Sequence, residues 1–211
     1  MPDMLVSREE AGSFRDLESL LKAAKAGDAG AQSTLGLLHY EGDGVPQDSR
    51  QALKWWRLAA EGGDGRAQNN LGTLYEIGVG VKADLAKAAA WYLKAAKGGN
   101  PNAQCNLGRL YANGAGVAQD FKESARWLGK AASKGDSDAQ YMLARLHTAG
   151  LGVAKDAWEA LRLLRCAARQ GHGGALEELA RQGIGLEGAF KDTAFMGAWW
   201  RTSSFRLSHC R

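Results

Sequence analysis

The 211-residue chain is 45% hydrophobic and 24% charged, and its 27 Lys and Arg against 23 Asp and Glu leave a formal charge of +4. No apolar run is long enough for a membrane-spanning helix, and the opening "MPDMLVSREEAGSF" has no signal-peptide core, so a soluble, cytoplasmic protein is expected. The basic balance invites a nucleic-acid reading, but acids and bases interleave along the chain as on solvated helix faces, and no nucleic-acid partner is expected.

The first predicted element is a lone helix within "SFRDLESLLKAAKAGD", with Ser13 as its cap and Phe14, Leu17, Leu20 and Leu21 turned inward. A unit of 36 residues then repeats without insertion. Ala31, Ala67, Ala103, Ala139 and Ala175 keep that step, as do Leu35, Leu71, Leu107, Leu143 and Leu179. A period in this range indicates stacked helical units, each unable to bury its apolar face alone. In the second copy, Leu71, Leu74 and Tyr75 have helical spacing over 67–77, and Ala88, Trp91, Tyr92 and Ala95 have it over 85–97. Two short helices per unit are therefore predicted.

Asp48, Asp84, Asp120, Asp156 and Asp192 stand just before the second helices as N-caps, and Glu123 and Glu159 are placed to complete capping boxes. Gly63, Gly99, Gly135 and Gly171 are expected to end the second helices in left-handed conformation. In "GGNPNAQ" Asn100 is a further N-cap, with Pro101 opening the helix. Gly pairs such as 78/80 and 114/116 suit a tight turn inside each unit, and Gly36, Gly72 and Gly108 within the first helices imply a neighbour pressed against them. The three cysteines, Cys105, Cys166 and Cys210, occupy different repeat positions and are expected to be ordinary thiols, not a disulfide framework.

The unit, exemplified by "AQNNLGTLYEIGVGVKADLAKAAAWYLKAAKGGN", resembles the Sel-one-like repeat, a longer-looped relative of the tetratricopeptide repeat. The resemblance implies an all-α fold, a right-handed α-α superhelix of 36-residue helical hairpins. It divides the chain into an N-terminal segment with a half-repeat capping helix (1–30), four repeats (31–66, 67–102, 103–138, 139–174), a degenerate fifth (175–201) and a basic tail (202–211). It also implies a bacterial scaffold or adaptor for protein complexes, with β-lactam binding or hydrolysis attached to some cysteine-rich relatives.

Catalytic strings are weak. "SLLK" at Ser19–Lys22 matches SxxK without the companion elements, and "GIGLEG" at Gly183–Gly188 matches GxGxxG but follows a helix. No nucleophile, base and oxyanion donor assemble; no cofactor and no metal site are expected, and the chain is expected not to be an enzyme. If the first helices line a concave side as in related arrays, one column there reads Leu37, Thr73, Arg109, Arg145, Arg181, and the turn before it reads Ser33, Asn69, Cys105, Tyr141, Glu177. Asn69, Thr73, Cys105, Arg109, Tyr141, Arg145 and Arg181 are therefore the candidate partner-binding residues, with the arginines suited to an acidic peptide through bidentate pairing; the alternative is a solvated face. A toxin-immunity or inhibitor protein and a β-lactam-interacting enzyme are the rival functions. Trp199 and Trp200, with no sixth unit to cover them, mark a possible homodimer contact.

Overall fold

The structure is a computed structural model that describes residues 17–184. Ten helices make up the described residues: α1 (Leu17–Lys25), α2 (Ala29–Glu41), α3 (Ser49–Glu61), α4 (Gly65–Ile77), α5 (Leu85–Lys97), α6 (Pro101–Asn113), α7 (Phe121–Ala132), α8 (Ser137–Ala149), α9 (Ala157–Arg169) and α10 (Gly173–Arg181). They form an all-α solenoid of paired helices. The chain divides into two compact units, residues 1–120 and 121–211. In the first, α2 packs on α3 and α4 on α5, with α1–α2, α3–α4 and α5–α6 as the next neighbours; in the second, α8 lies between α7 and α9, and α10 packs on α9.

Each boundary has a side-chain cause that recurs with the repeat. The first helices open on Asp28, Asp64, Asn100, Asp136 and His172, whose side chains accept from the amides of Ala31, Ala67, Ala103, Ala139 and Ala175. They close at Gly42, Gly78, Gly114 and Gly150, with φ between 66° and 77°, a region that costs an L-residue energy but not glycine. The second helices open on Asp48, Asp84 and Asp156, which accept from one or two first-turn amides. Those bonds hold the half-buried Asp48 and Asp84 carboxyls below the ordinary aspartate range.

Among the described residues the predicted capping boxes form only in part: Asp156 accepts from the Glu159 amide, but the cap amide is not left for the glutamate. The amides of Asp120 and Asp156 already donate to the carbonyls of Tyr111 and His147, as those of Asp48 and Asp84 do to His39 and Tyr75. With the cap amide occupied, Glu123 and Glu159 turn outward to Arg126 and Arg162. A second recurring device was not anticipated: Gln32, Gln68, Gln104 and Gln140 donate their side-chain amides back to Ala24, Ala60, Ala96 and Ala132 carbonyls. Each thereby satisfies a last-turn acceptor of the helix before it.

Leu35, Leu71, Leu74, Leu107 and Leu110 are at most 1% exposed and form the centre of the stack with Trp56 and Tyr92. Burying each aliphatic side chain contributes about 2 kcal/mol. Close approach is made possible by the predicted small residues. A Cβ at Gly72 would stand 2.7 Å from the Tyr92 ring, and one at Gly36 would meet the Trp56 indole as tightly. The N-terminal helix covers this core by packing Leu20 and Ala24 against Ala31 and Leu35 of α2. Leu17, expected to face inward, is 39% exposed at the first position of α1, one turn before the buried Leu20; Ser13 and Phe14 lie outside the described residues.

Ser124 breaks the pattern in an informative way. Its register holds alanine at Ala52, Ala88 and Ala160, yet it is fully buried and its hydroxyl has no hydrogen-bond partner among the described residues. Replacing an unsatisfied buried hydroxyl by hydrogen removes a desolvation cost. Ser124→Ala is therefore expected to stabilise the protein by about 1 kcal/mol in denaturant unfolding. A loss of stability would show instead that the hydroxyl finds an acceptor.

Candidate protein-interaction face

In the first unit the predicted binding residues are drawn inward. Asn69 is 4% exposed, Thr73 1% and Cys105 8%. Asn106 donates to the Asn69 side chain at 3.3 Å, joining α6 to α4. Tyr92, buried on α5, donates to Glu76 at 2.9 Å; with that proton committed, the Thr73 hydroxyl is the donor in its 3.0 Å contact with the Tyr92 oxygen. Arg109 of α6 completes the chain by placing one guanidinium nitrogen 2.7 and 2.9 Å from the two Glu76 oxygens. Burial, with a smaller contribution from the Glu76 charge and against the Thr73 bond, pushes the Tyr92 phenol well above its ordinary range. The hydroxyl thus stays a donor, and its contribution to stability is present below the ordinary tyrosine range and lost only as pH rises beyond it.

The reason these residues turn inward lies in the stacking register. Ser33 meets Asp64, the N-cap of the next first helix, at 3.3 Å. In the second unit the equivalent pair is Tyr141 and His172, with ring centroids 4.6 Å apart. Ser33 and Tyr141, both in the column assigned to an open groove, therefore face the cap of the following repeat. The Glu76–Arg109 pair spans 33 residues, one period less one helical turn. Opposite charges at that separation are the sequence signal that would have found it.

The second unit leaves more of the face open. Arg145 is exposed on α8, its guanidinium 5.9 Å from the centroid of the half-buried Tyr141 ring. Arg181 is exposed on α10 and pairs with Glu178 one turn before it. His172 closes this end: its Nδ1 accepts from the Ala175 amide while its Nε2 lies 3.1 Å from Asp138. Trp199 and Trp200 lie outside the described residues, as does Cys210. Cys105 is buried and outside any disulfide, and Cys166 is disulfide-bonded, which corrects the expectation of three ordinary thiols. Ser19 and Lys22 sit on the exposed side of α1. Among the described residues, no three His, Cys, Asp or Glu are grouped to hold a metal ion, and no helix is long and apolar enough to cross a membrane.

The hairpin geometry and its repeating caps have a counterpart in sequence. The Sel1 repeat model matches residues 29–64, 65–100, 101–136 and 137–172, each segment beginning at the start of a first helix. The chain belongs to the Sel1 repeat family. Its four matched repeats occupy more than half of its length. A Sel1 repeat protein from Oxalobacter formigenes is 39% identical over 78% of this chain and 48% of its own, with a TM-score of 0.71. The protein c5321, described as a protective antigen present in uropathogenic Escherichia coli strains and displaying this fold, is 31% identical over 89% of this chain and 48% of its own, with a TM-score of 0.53. The chain spans about half the length of these two relatives. The immunity protein Pa5087 from Pseudomonas aeruginosa, 24% identical over 79% of this chain and 66% of its own at a TM-score of 0.53, shares the fold alone. No match is found among curated proteins.

Proposed function

We propose that this scaffold captures an acidic segment of a partner protein on the first-helix face of its second unit, through Tyr141, Arg145 and Arg181. The observation that carries the proposal is Arg145. It is exposed, it stands beside an aromatic ring, and no carboxylate among the described residues lies within ion-pair distance of it. A guanidinium in that setting offers its donor fork to an incoming carboxylate while Tyr141 supplies apolar contact. Arg181 adds a second cation whose exposed pairing with Glu178 is cheaply exchanged for a ligand. Arg109, held by Glu76, is left out of the seat.

The test is a fluorescence-anisotropy titration of the full chain with acidic, neutral and basic peptides of equal length. Binding of the acidic set alone is expected, weakened more than about tenfold by the joint changes Arg145→Glu and Arg181→Glu. Circular dichroism melting should be unchanged, since neither arginine is buried. Equal binding of all three sets, or unaltered affinity in the double variant, would overturn the assignment.

A further inference from the structure

Acids and bases interleave along the sequence, yet the fold sorts them by helix. The second helices α3, α5, α7 and α9 hold twelve Lys and Arg against three Glu, whereas the first helices α2, α4, α6, α8 and α10 hold four against five acids. The contrast is sharpest in the first unit, where α3 and α5 bear six cations and one acid, Glu61. Both helices pack on α4, and their exposed positions coincide after one repeat: 50, 54, 58 and 61 on α3 answer to 86, 90, 94 and 97 on α5. The two solvent-facing stripes therefore turn to the same side. Among the described residues no ion pair joins Arg50, Lys54, Lys94 or Lys97 to a carboxylate, although the Lys54 charge acts on Asp48 at longer range.

We propose that this second-helix face of the first unit docks on an anionic phospholipid bilayer surface, a role separate from the peptide seat of the second unit. Clustered cations on one face are attracted to acidic headgroups, each contributing about fivefold in affinity. Leu58 selects lipid over other polyanions: it is 48% exposed in the middle of the α3 stripe, with Lys54 one turn before it and Arg57 beside it. Leu85, 40% exposed, opens α5 two residues before Lys87. An aliphatic side chain with Lys54 and Arg57 on one side and only Glu61 one turn after it suits the boundary between headgroups and acyl chains. The face offers little to nucleotide bases, because stacking needs an open ring. The Lys94 ammonium stands 3.9 Å over the Trp91 ring, and Trp56 is fully buried.

The deciding experiment is cosedimentation of the full chain with vesicles of phosphatidylcholine alone and of phosphatidylcholine containing phosphatidylglycerol, beside parallel titrations with polyglutamate and duplex RNA. Partition to the anionic vesicles only is expected, falling with added salt. The combined variant Lys54→Glu, Lys94→Glu and Lys97→Glu should lose more than about tenfold of it. Leu58→Ser, which leaves every charge in place, should lose severalfold. Peptide binding at Arg145 should be untouched in both variants. No partition, equal partition to both vesicle types, or binding unaltered by the charge reversals would overturn the proposal. Binding of polyglutamate or RNA without vesicle binding, or full vesicle binding by Leu58→Ser, would equally overturn it, assigning the face to a purely electrostatic partner.

Discussion

Gly116→Ala is expected to lower the stability of this protein by about 3 kcal/mol, from about 1 kcal/mol for the left-handed backbone and the rest for overpacking. Gly116 has φ +72° in the turn before α7, and a Cβ there would come within 2.8 Å of the Ala86 nitrogen and closer still to the Leu85 carbonyl. Those atoms are backbone at the start of α5 and cannot rotate away. Gly80 against Ser49 and Gly152 against Phe121 repeat the contact one period before and one period after, so the second glycine of each turn is a stacking surface as well as a bend. Gly135→Ala is the control, because Gly135 also has positive φ, at +92°, but a Cβ there would meet nothing within 4 Å. It should cost only about 1 kcal/mol. Thermal melts of the two variants are expected to differ by several degrees, at about 2–4 °C per kcal/mol for a chain of this size. Equal melting points would show that the turn moves freely against the helix behind it.

Glu76→Ala is expected to cost about 2–3 kcal/mol, because it removes the acceptor shared by Tyr92 and Arg109. The Tyr92 side is the expensive one: its ring is fully buried and its hydroxyl would keep only the Thr73 contact. The Arg109 side is cheaper, since a guanidinium with 34% side-chain exposure can recover hydration. Glu76→Gln keeps an acceptor for Tyr92 and should cost about half as much. The double variant Glu76→Ala, Arg109→Ala should be about 1 kcal/mol more stable than the sum of the single changes, measured by urea unfolding. Strict additivity would mean that Arg109 does not rest on Glu76 in solution.

The two glycine classes were legible in the sequence because each is tied to one backbone conformation and recurs at the repeat step. The same held for the aspartate caps of α3, α5 and α9, whose partners lie two or three residues ahead. The capping boxes stayed incomplete because of a contact that no local pattern encodes. The cap amide finds a carbonyl nine residues earlier, across the turn, as Asp156 does at His147, and the glutamates are then free to pair with arginines. Of the first-helix caps Asn100 alone was legible in the sequence; Asp28, Asp64, Asp136 and His172 share its register, but three residue types that accept by different atoms obscure the column.

The sequence by itself determined the architecture. A 36-residue period, alternating helix-spaced apolar runs and glycines at helix ends depend on local geometry and simple repetition, and both survive in one dimension. Only the tertiary structure decided what each face does. Whether Arg109 meets solvent or Glu76, whether Asn69 and Thr73 line a groove or a seam, and whether cations and acids mix or separate depend on residues about one period apart being brought side by side. The physical reason is that a side chain's partners are set by the stacking of neighbouring hairpins, while its secondary structure is set by the hairpin to which it belongs.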